Sequence, residues 1–180
     1  ACYRGEEEDV LKRTTEALKI MDADYGVQIY GDGPLISSEV VDFLVNKFFE
    51  SDTNYDFMSN NLETSFPPGM EAEVFTISAI KDAEKKNKDK NTREHGTLFI
   101  RKNPHIYKIK NIKAPKIWKR PDLEIEVDTS EDLEVIRAII NNFRDSYHFK
   151  LEEIIKFLDE NPELIKINSH IFRRWKKYRN

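Results

Sequence analysis

Two aspartates follow apolar stretches of the chain and precede turns, where a carboxylate can bind a cation. Asp32 lies between two glycines in the segment YGDGPLI, and Asp128 lies in the segment EVDTSED. In open α/β sheets, ligands bind beyond the carboxyl ends of the strands. Two carboxylates that converge from strand ends can hold a Mg2+ ion that also binds phosphate oxygens. These residues therefore indicate a metal site, with Gly31 and Gly33 letting a ligand approach the backbone closely.

Both segments also have simpler explanations. An isolated Gly-Asp-Gly is usually just a turn, and the proline that follows it here fits that explanation. Asp128 could instead cap the next helix, with Thr129 or Ser130 sharing that task. From local spacing alone, metal binding and turn formation both stay open.

Helical and strand patterns along the chain predict the elements that must position these aspartates. The predicted helices cover 9–21, 37–51, 78–86, 94–103 and 130–143. The predicted strands cover 25–30, 54–61, the part of 67–77 after its Pro-Gly turn, 105–113 and 123–127. Strands that alternate with helices predict an α/β domain with a largely parallel sheet and helices on both faces.

The same patterns divide the chain into an α/β domain at 1–147 and a helical extension with a basic tail at 148–180. Within the extension we expect one helix, a break at Pro162 and a short final segment. The segment 84–94 is polar and almost free of apolar residues, which predicts a mobile loop.

Composition excludes several classes of protein. The chain has 180 residues, 39% hydrophobic and 34% charged, with a net charge of −4. Its last ten residues carry five positive charges, which leaves −9 on the other 170 and argues against duplex nucleic acid as a partner. No apolar run is long enough to span a membrane. The single cysteine, Cys2, excludes an internal disulfide and favours a cytoplasmic protein.

Five separated segments, in order along the chain, resemble a known family. They are YGDGPLISSEVVDFL, MSNNLETSFPPGMEAEVFTISAI, TREHGTLFIRKN, VDTSEDLEVI and LEEIIKFLDENPELIKINSHI. They are similar to the sugar-acid cytidylyltransferases, and in particular to the branch of spore-coat polysaccharide biosynthesis proteins, relatives of the CMP-sialate and CMP-ketodeoxyoctonate synthetases. Several motifs in the right order are more specific than any one of them.

The resemblance implies a fold, a reaction and a set of site residues. The fold is a Rossmann-like α/β/α sandwich of the nucleotide-diphosphosugar transferase type, with a C-terminal helical appendage. The reaction joins CTP and a sugar acid to give a CMP-sugar and pyrophosphate, with Mg2+ as cofactor. The resemblance places Mg2+ on Asp32 and Asp128. It implies substrate binding, or contact with a second subunit, by the blocks that contain Asn60, Glu71, Glu73, Arg93, Glu94 and His95.

Departures from the family pattern suggest an alternative. The family's Gly-rich nucleotide-binding segment is not recognisable, so we expect two β–α units to be missing, about 60 residues at roughly 30 per unit. Gln28 and Glu124 stand where arginines are expected, which disfavours an anionic substrate. The alternative is a catalytically incomplete remnant that acts as a binding or assembly subunit. We expect a homodimer, or completion of the sheet by a missing N-terminal segment.

The C-terminal segment HIFRRWKKYRN mixes basic and aromatic residues. It could bind an anionic surface, RNA or a partner. Because one short run is a weak signal, the favoured interpretation is a solvated basic helix end that packs Ile171, Phe172 and Trp175 on the body of the protein. The sequence leaves both open.

Overall fold

The computed structural model of the protein describes residues 2–144 and 149–173. In this part of the chain the helices are α1 Val10–Ile20, α2 Ser38–Phe49, α3 Ile77–Lys86, α4 Lys90–Glu94, α5 Leu98–Lys102, α6 Ser130–Asn142, α7 Leu151–Glu160 and α8 Pro162–Asn168. The strands are β1 Tyr25–Ile29, β2 Phe57–Ser59, β3 Ala72–Thr76 and β4 Ile109–Asn111, and a 3-10 helix covers Lys116–Trp118.

The four strands form one sheet in the order β1-β3-β2-β4, and β3 runs antiparallel to both of its neighbours. The Thr76 amide, at the end of β3, donates to the Asp56 carbonyl just before β2 begins (3.0 Å). The Ile77 amide likewise donates to the Asp24 carbonyl just before β1 begins (2.8 Å). The expectation of a largely parallel sheet is therefore wrong. No helix forms between β2 and β3, so β3 returns without the helical crossover that joins parallel strands.

The outer strand β4 runs parallel to β2. The Lys108 carbonyl accepts from the Phe57 amide at 3.3 Å, and two residues further along β2 the Ser59 carbonyl accepts from the Ile112 amide at 2.8 Å. Partner numbers that rise together define a parallel pair. A parallel pair requires a long connection between its strands. The connection from β2 to β4 contains β3 and then the helices α3, α4 and α5.

The chain divides into two compact units. The first comprises Ala1–Gln28, Val45–Met58 and Glu73–Lys110, and the second comprises Ile29–Leu44, Ser59–Ala72 and Asn111–Asn180. In the first unit α1 packs against α3 and α4. In the second unit α8 packs against α6 and α7, so these C-terminal helices belong to the same compact unit as the Asp128 loop. The predicted domain boundary, between 147 and 148, lies outside the described residues.

The second unit has an extensive apolar core. Helix α7 contributes Leu151, Ile154, Ile155 and Leu158, a spacing of three or four residues that puts all four buried side chains on one face. This helix ends at Glu160, and α8 begins at Pro162, where the sequence predicted a break. Proline is well suited to the first position of a helix.

Three local predictions differ from the structure. The segment 123–127 is not a strand, although two of its amides bond to neighbouring loops. Part of 84–94 is helical rather than a loop, because the Asp89 carboxylate accepts from the Thr92 amide (3.0 Å) and caps α4. The helix predicted over 94–103 begins only at Leu98, because Gly96 has a φ of 56° and interrupts it.

Within residues 2–144 and 149–173, no helix is both long enough and apolar enough to cross a membrane.

Candidate metal and nucleotide site

Three backbone segments of the second unit meet at glycines. A Cβ atom on Gly33 would lie 2.6 Å from the Gly69 carbonyl oxygen, and one on Gly69 would lie 2.5 Å from the Ile125 carbonyl oxygen. Gly69 also has a φ of 103°, which disfavours any other residue. The Ile125 amide donates to the Pro68 carbonyl (2.9 Å) and fixes two of these segments together. Gly33 therefore serves close packing of the protein backbone, and approach of a ligand at this position stays a prediction.

The two aspartates predicted to bind metal lie in adjacent loops. The Val127 amide, one residue before Asp128, donates to the Asp32 carbonyl at 2.8 Å. Both aspartates are exposed. Asp128 thus follows an extended segment bonded to the Asp32 loop, although that segment is not a strand of the sheet. The structure brings together the two residues that the sequence paired.

The loop after Asp128 is shaped by the start of α6. Thr129 is the N-cap, and its hydroxyl accepts from the Asp132 amide at 3.3 Å. The Asp132 carboxylate in return accepts from the amides of Thr129 (2.9 Å) and Asp128 (3.1 Å), which completes a capping box. Of the capping residues that the sequence suggested, Thr129 caps this helix and Asp128 does not. The cap leaves the Asp128 side chain exposed beside the Asp32 loop.

Asp132 is buried and carries a charge that Arg173 balances. The Arg173 guanidinium makes two parallel bonds to the carboxylate, of 2.9 and 2.6 Å, and the Asn168 amide group adds a third at 2.8 Å. Burial by itself would raise the pKa of Asp132, but the bonds from Arg173 and Asn168 lower it well below its usual range. Arg173, counted in the sequence as part of a basic tail, is instead 1% exposed.

The other predicted residues of this unit have structural partners. The Asn60 side chain is buried, donates to the Met70 carbonyl (2.7 Å) and accepts from the Ala72 amide (2.9 Å). Glu71 is half-buried and accepts from the Gly69 amide at 2.7 Å. Gly31 is exposed, and a Cβ atom there would have nothing within 4 Å. Of the two glycines predicted to admit a ligand, Gly31 has open space at its Cβ position and Gly33 does not.

The block at 93–95 lies in the first unit. Arg93 is mostly buried and donates from Nε to Asp9 at 2.8 Å and from a terminal nitrogen to Glu84 at 3.3 Å. Glu94 and His95 are exposed. The structure thus uses Arg93 to join α4 to the start of α1, and it leaves the next two side chains at the surface.

Glu73 is fully buried in the first unit. Its carboxylate accepts from the Thr97 hydroxyl at 2.5 Å and lies 3.7 Å from the Arg101 guanidinium. It therefore holds the turn that follows His95, and its substrate-binding role stays a prediction.

Asp32 and Asp128 offer the carboxylate oxygens that a divalent cation prefers as ligands. In residues 2–144 and 149–173, no three side chains of His, Cys, Asp or Glu are grouped so that they could hold a metal ion. Mg2+ does not require such a group, since it usually keeps several water ligands and binds through one or two carboxylates together with substrate phosphates. Two exposed carboxylates in adjacent loops match that coordination chemistry.

Comparison with known proteins identifies the family of this chain. A cytidylyltransferase family model matches residues 1–171. The chain belongs to the cytidylyltransferase family. A solved cytidylyltransferase from Leptospira borgpetersenii superposes with a TM-score of 0.81 at 26% identity, over 94% of this chain and 70% of that one. This likeness confirms the predicted α/β fold class. Together with the family model, it confirms the prediction that the chain is of the nucleotidyltransferase class.

Two further relatives match most of the chain. An uncharacterised protein of Methanocaldococcus jannaschii is 36% identical over 98% of this chain and 70% of its own length. The spore coat polysaccharide biosynthesis protein SpsF of Bacillus subtilis is 26% identical over 89% of this chain and 65% of its own length. The chain thus spans about two thirds of the length of these relatives.

Sequence reasoning missed the buried residues that hold the Asp128 loop. Asp132 had a local signal, since Thr129 and Asp132 have the spacing of a capping box. Asn168 and Arg173 had none, because they bond to Asp132 across 36 and 41 residues of chain. Gly69 was seen only as part of a turn, and its close approach to Ile125 depends on the tertiary fold.

Proposed function

We propose that the chain acts in Mg2+-dependent transfer of CMP from CTP to the hydroxyl of a sugar acid, in the synthesis of a surface polysaccharide. Membership of the cytidylyltransferase family supports the nucleotide and the reaction class. The Bacillus relative, whose name refers to spore coat polysaccharide, supports the type of product. The juxtaposition of Asp32 and Asp128 supports the metal.

The reaction is a substitution at phosphorus. The sugar hydroxyl oxygen forms a bond to the α-phosphorus of CTP, and the bond from that phosphorus to the bridging oxygen breaks. Pyrophosphate leaves with the electron pair, and the hydroxyl proton is released. Asp32 and Asp128 would hold the cation. When bound there, Mg2+ supplies positive charge that neutralises and orients the phosphates.

The backbone bond between Val127 and Asp32 is the observation that carries this proposal. This 2.8 Å bond joins the two loops, so the folded backbone holds the segments that carry the two aspartates next to each other. The capping box at Thr129 fixes the other end of the Asp128 loop. A site assembled before ligand binding does not have to order these loops when the metal and nucleotide arrive.

Calorimetric titration with CTP and Mg2+, together with an assay of pyrophosphate release, tests the proposal. The variants are Asp32→Asn and Asp128→Asn, and Asp42→Asn removes one exposed carboxylate from α2 as a matched control. We expect each loop variant to lose roughly 100-fold or more in rate, the usual cost of one electrostatic contact to developing charge. The control should behave as the unsubstituted chain.

Two results would contradict the proposal. Equal CTP binding and turnover in all three variants would exclude these aspartates as the metal site. If the unsubstituted chain binds no CTP at millimolar concentration with Mg2+ present, transfer by this chain alone is excluded. The alternative, a binding or assembly subunit, would then be preferred.

A further inference from the structure

We infer that Arg173 is a positioning residue for the metal site, and that it holds the loop carrying Asp128 through the buried carboxylate of Asp132. The inference rests on the proposed function, since it assigns a role toward the cation that Asp32 and Asp128 would bind. It extends that function to a part of the chain, 168–173, that the sequence suggested was only an appendage.

The first half of the connection joins Arg173 to Asp132. Two guanidinium nitrogens of Arg173 donate to the two carboxylate oxygens of Asp132, at 2.9 and 2.6 Å. Both side chains have no measurable exposure, so water does not screen the pair. A planar fork that bonds both oxygens fixes the orientation of the carboxylate as well as its distance.

The second half joins Asp132 to the loop. The same Oδ2 atom that accepts from Arg173 also accepts from the amides of Asp128 (3.1 Å) and Thr129 (2.9 Å) and from the Thr129 hydroxyl (2.9 Å). One carboxylate oxygen therefore lies between the guanidinium and the backbone of the predicted metal ligand. A rotation of this carboxylate would displace the Asp128 amide directly.

The start of the loop is held by the same C-terminal segment. The Asn168 side chain donates both to the Glu124 carbonyl (2.9 Å) and to Asp132 (2.8 Å). The Glu124 carboxylate lies 3.4 Å from the Arg173 Nε atom. Residues 168 and 173 thus contact the chain on both sides of 125–128, and together they fix the stretch that donates to the Asp32 loop.

The charges make Arg173 difficult to replace. Its guanidinium faces two carboxylates, those of Asp132 and Glu124, which are both largely or fully buried. A lysine would keep the positive charge but would lose the fork that bonds both oxygens of Asp132. Arg173→Lys therefore removes the group that orients the Asp132 carboxylate and keeps the positive charge that neutralises it.

Manganese binding, followed by electron paramagnetic resonance with and without CTP, tests the inference in the full chain, with Mn2+ as the probe for the Mg2+ site. We expect Arg173→Lys to weaken Mn2+ binding about 10- to 100-fold, the usual effect of losing a residue that orients a metal ligand. Amide hydrogen exchange at Asp128 and Thr129 should become faster in the same variant, because their acceptor is no longer fixed. The second readout does not depend on bound metal.

Arg120→Lys is the matched control. Arg120 also makes a two-pronged bond to a carboxylate, that of Asp122, and pairs with Asp159 in the same unit, but it makes no such contact with the Asp128 loop. A purely structural role for Arg173 would lower the thermal midpoint without changing the Mn2+ affinity of the protein that remains folded. If Arg173→Lys does not fold, Asn168→Ala removes the bonds to Glu124 and Asp132 and should weaken Mn2+ binding in the same direction.

The outcomes separate the two hypotheses. If the unsubstituted chain binds Mn2+ and folded Arg173→Lys, or Asn168→Ala in its place, binds it equally well, the positioning role is overturned and the metal site stands. If the unsubstituted chain binds no Mn2+, either alone or with CTP present, the proposed metal-dependent function is itself overturned. Weaker binding and faster exchange in Arg173→Lys, with Arg120→Lys unchanged, support both.

Discussion

Gly31 and Gly33 flank the same aspartate, yet a side chain at the two positions would meet different surroundings. A Cβ atom at Gly33 would lie 2.6 Å from the Gly69 carbonyl oxygen, a backbone atom that cannot rotate away. We predict that Gly33→Ala destabilises the protein by about 1–3 kcal/mol, the usual cost of inserting an atom into a packed site. Urea denaturation measures the difference.

The neighbouring substitution Gly31→Ala is the control for this prediction. No atom lies within 4 Å of its added Cβ, so we expect the free energy of unfolding to change by less than about 1 kcal/mol. Equal unfolding midpoints for the two variants would show that the Gly33 loop can move away from Gly69 at little cost.

The residue types of the site could be predicted from the sequence, but the contacts that hold them could not. Asp32 and Asp128 stand out because each follows an apolar segment and precedes a turn and a helix. Arg173 carries no such mark, and only the fold shows that its charge is buried against Asp132. A basic residue near a chain end looks solvated unless its distant partner is known.

Glu124 shows how a single substitution can be misread without the fold. The resemblance predicts an arginine at this position, and its replacement by glutamate argues for weaker binding of an anion. In the structure Arg173 lies 3.4 Å from the Glu124 carboxylate and places a positive charge beside it. Because the one positive charge of Arg173 is shared with Asp132, the three side chains together keep a net charge of −1 (−1 − 1 + 1), and what the fold adds is a structural partner for Glu124.

Among the elements, α1 and α4 are joined by the ion pair of Asp9 and Arg93. Asp9 caps α1 by accepting from the Lys12 amide (3.0 Å), and its other oxygen accepts from Arg93 (2.8 Å). Burial by itself would raise the pKa of Asp9, but the bonds from Arg93 and Lys12 lower it below its ordinary value. The charged carboxylate therefore stabilises the folded state.

We predict that Asp9→Asn lowers the free energy of unfolding by roughly 1–2 kcal/mol at pH 7, since it removes a bond to a charged group. Asparagine caps helices about as well as aspartate, so the change isolates the charge. The pKa of Asp9 is lower in the folded state, so its contribution is complete above the unfolded value near 3.9 and disappears as the pH falls through the folded value. Urea denaturation at pH 7 and below pH 3 measures this.

Glu8→Gln, an adjacent exposed position, removes one charge without this ion pair and should have little effect at either pH. A difference between Asp9→Asn and the unsubstituted protein that is as large below pH 3 as at pH 7 would mean that the effect arises from capping rather than from the ion pair.

Helices with a clear apolar face were predicted closely, whereas short strands and loops were not. Helix α6 was predicted at 130–143 and is observed at Ser130–Asn142, because its periodicity and its capping residues agree. The extended segment 123–127 has the composition of a strand but bonds to the loops at Asp32 and Pro68 instead. Which neighbour an extended segment finds depends on the tertiary fold rather than on its own residues.

At the scale of the whole molecule, the two compact units share their secondary structure. The boundaries between them fall inside all four strands and inside α2, between residues such as Gln28 and Ile29 of β1. A sheet whose every strand continues from one unit into the other cannot lose one unit without breaking strands of the other. The two units are therefore expected to unfold together, in contrast to independent domains joined by a linker.

We predict a single unfolding transition, which a substitution in the first unit and a probe in the second can reveal. Ile80 of α3 is fully buried in the first unit, and Ile80→Ala should cost about 2–5 kcal/mol. Trp118 lies in the second unit, and a Trp175→Phe background leaves it as the only indole. In Ile80→Ala, the urea midpoint of Trp118 fluorescence should fall together with the midpoint measured by circular dichroism. The control Ile106→Ala, at an exposed isoleucine of the first unit, should change neither midpoint by much. A Trp118 midpoint that stays fixed while circular dichroism shows two steps would mean that the units unfold separately.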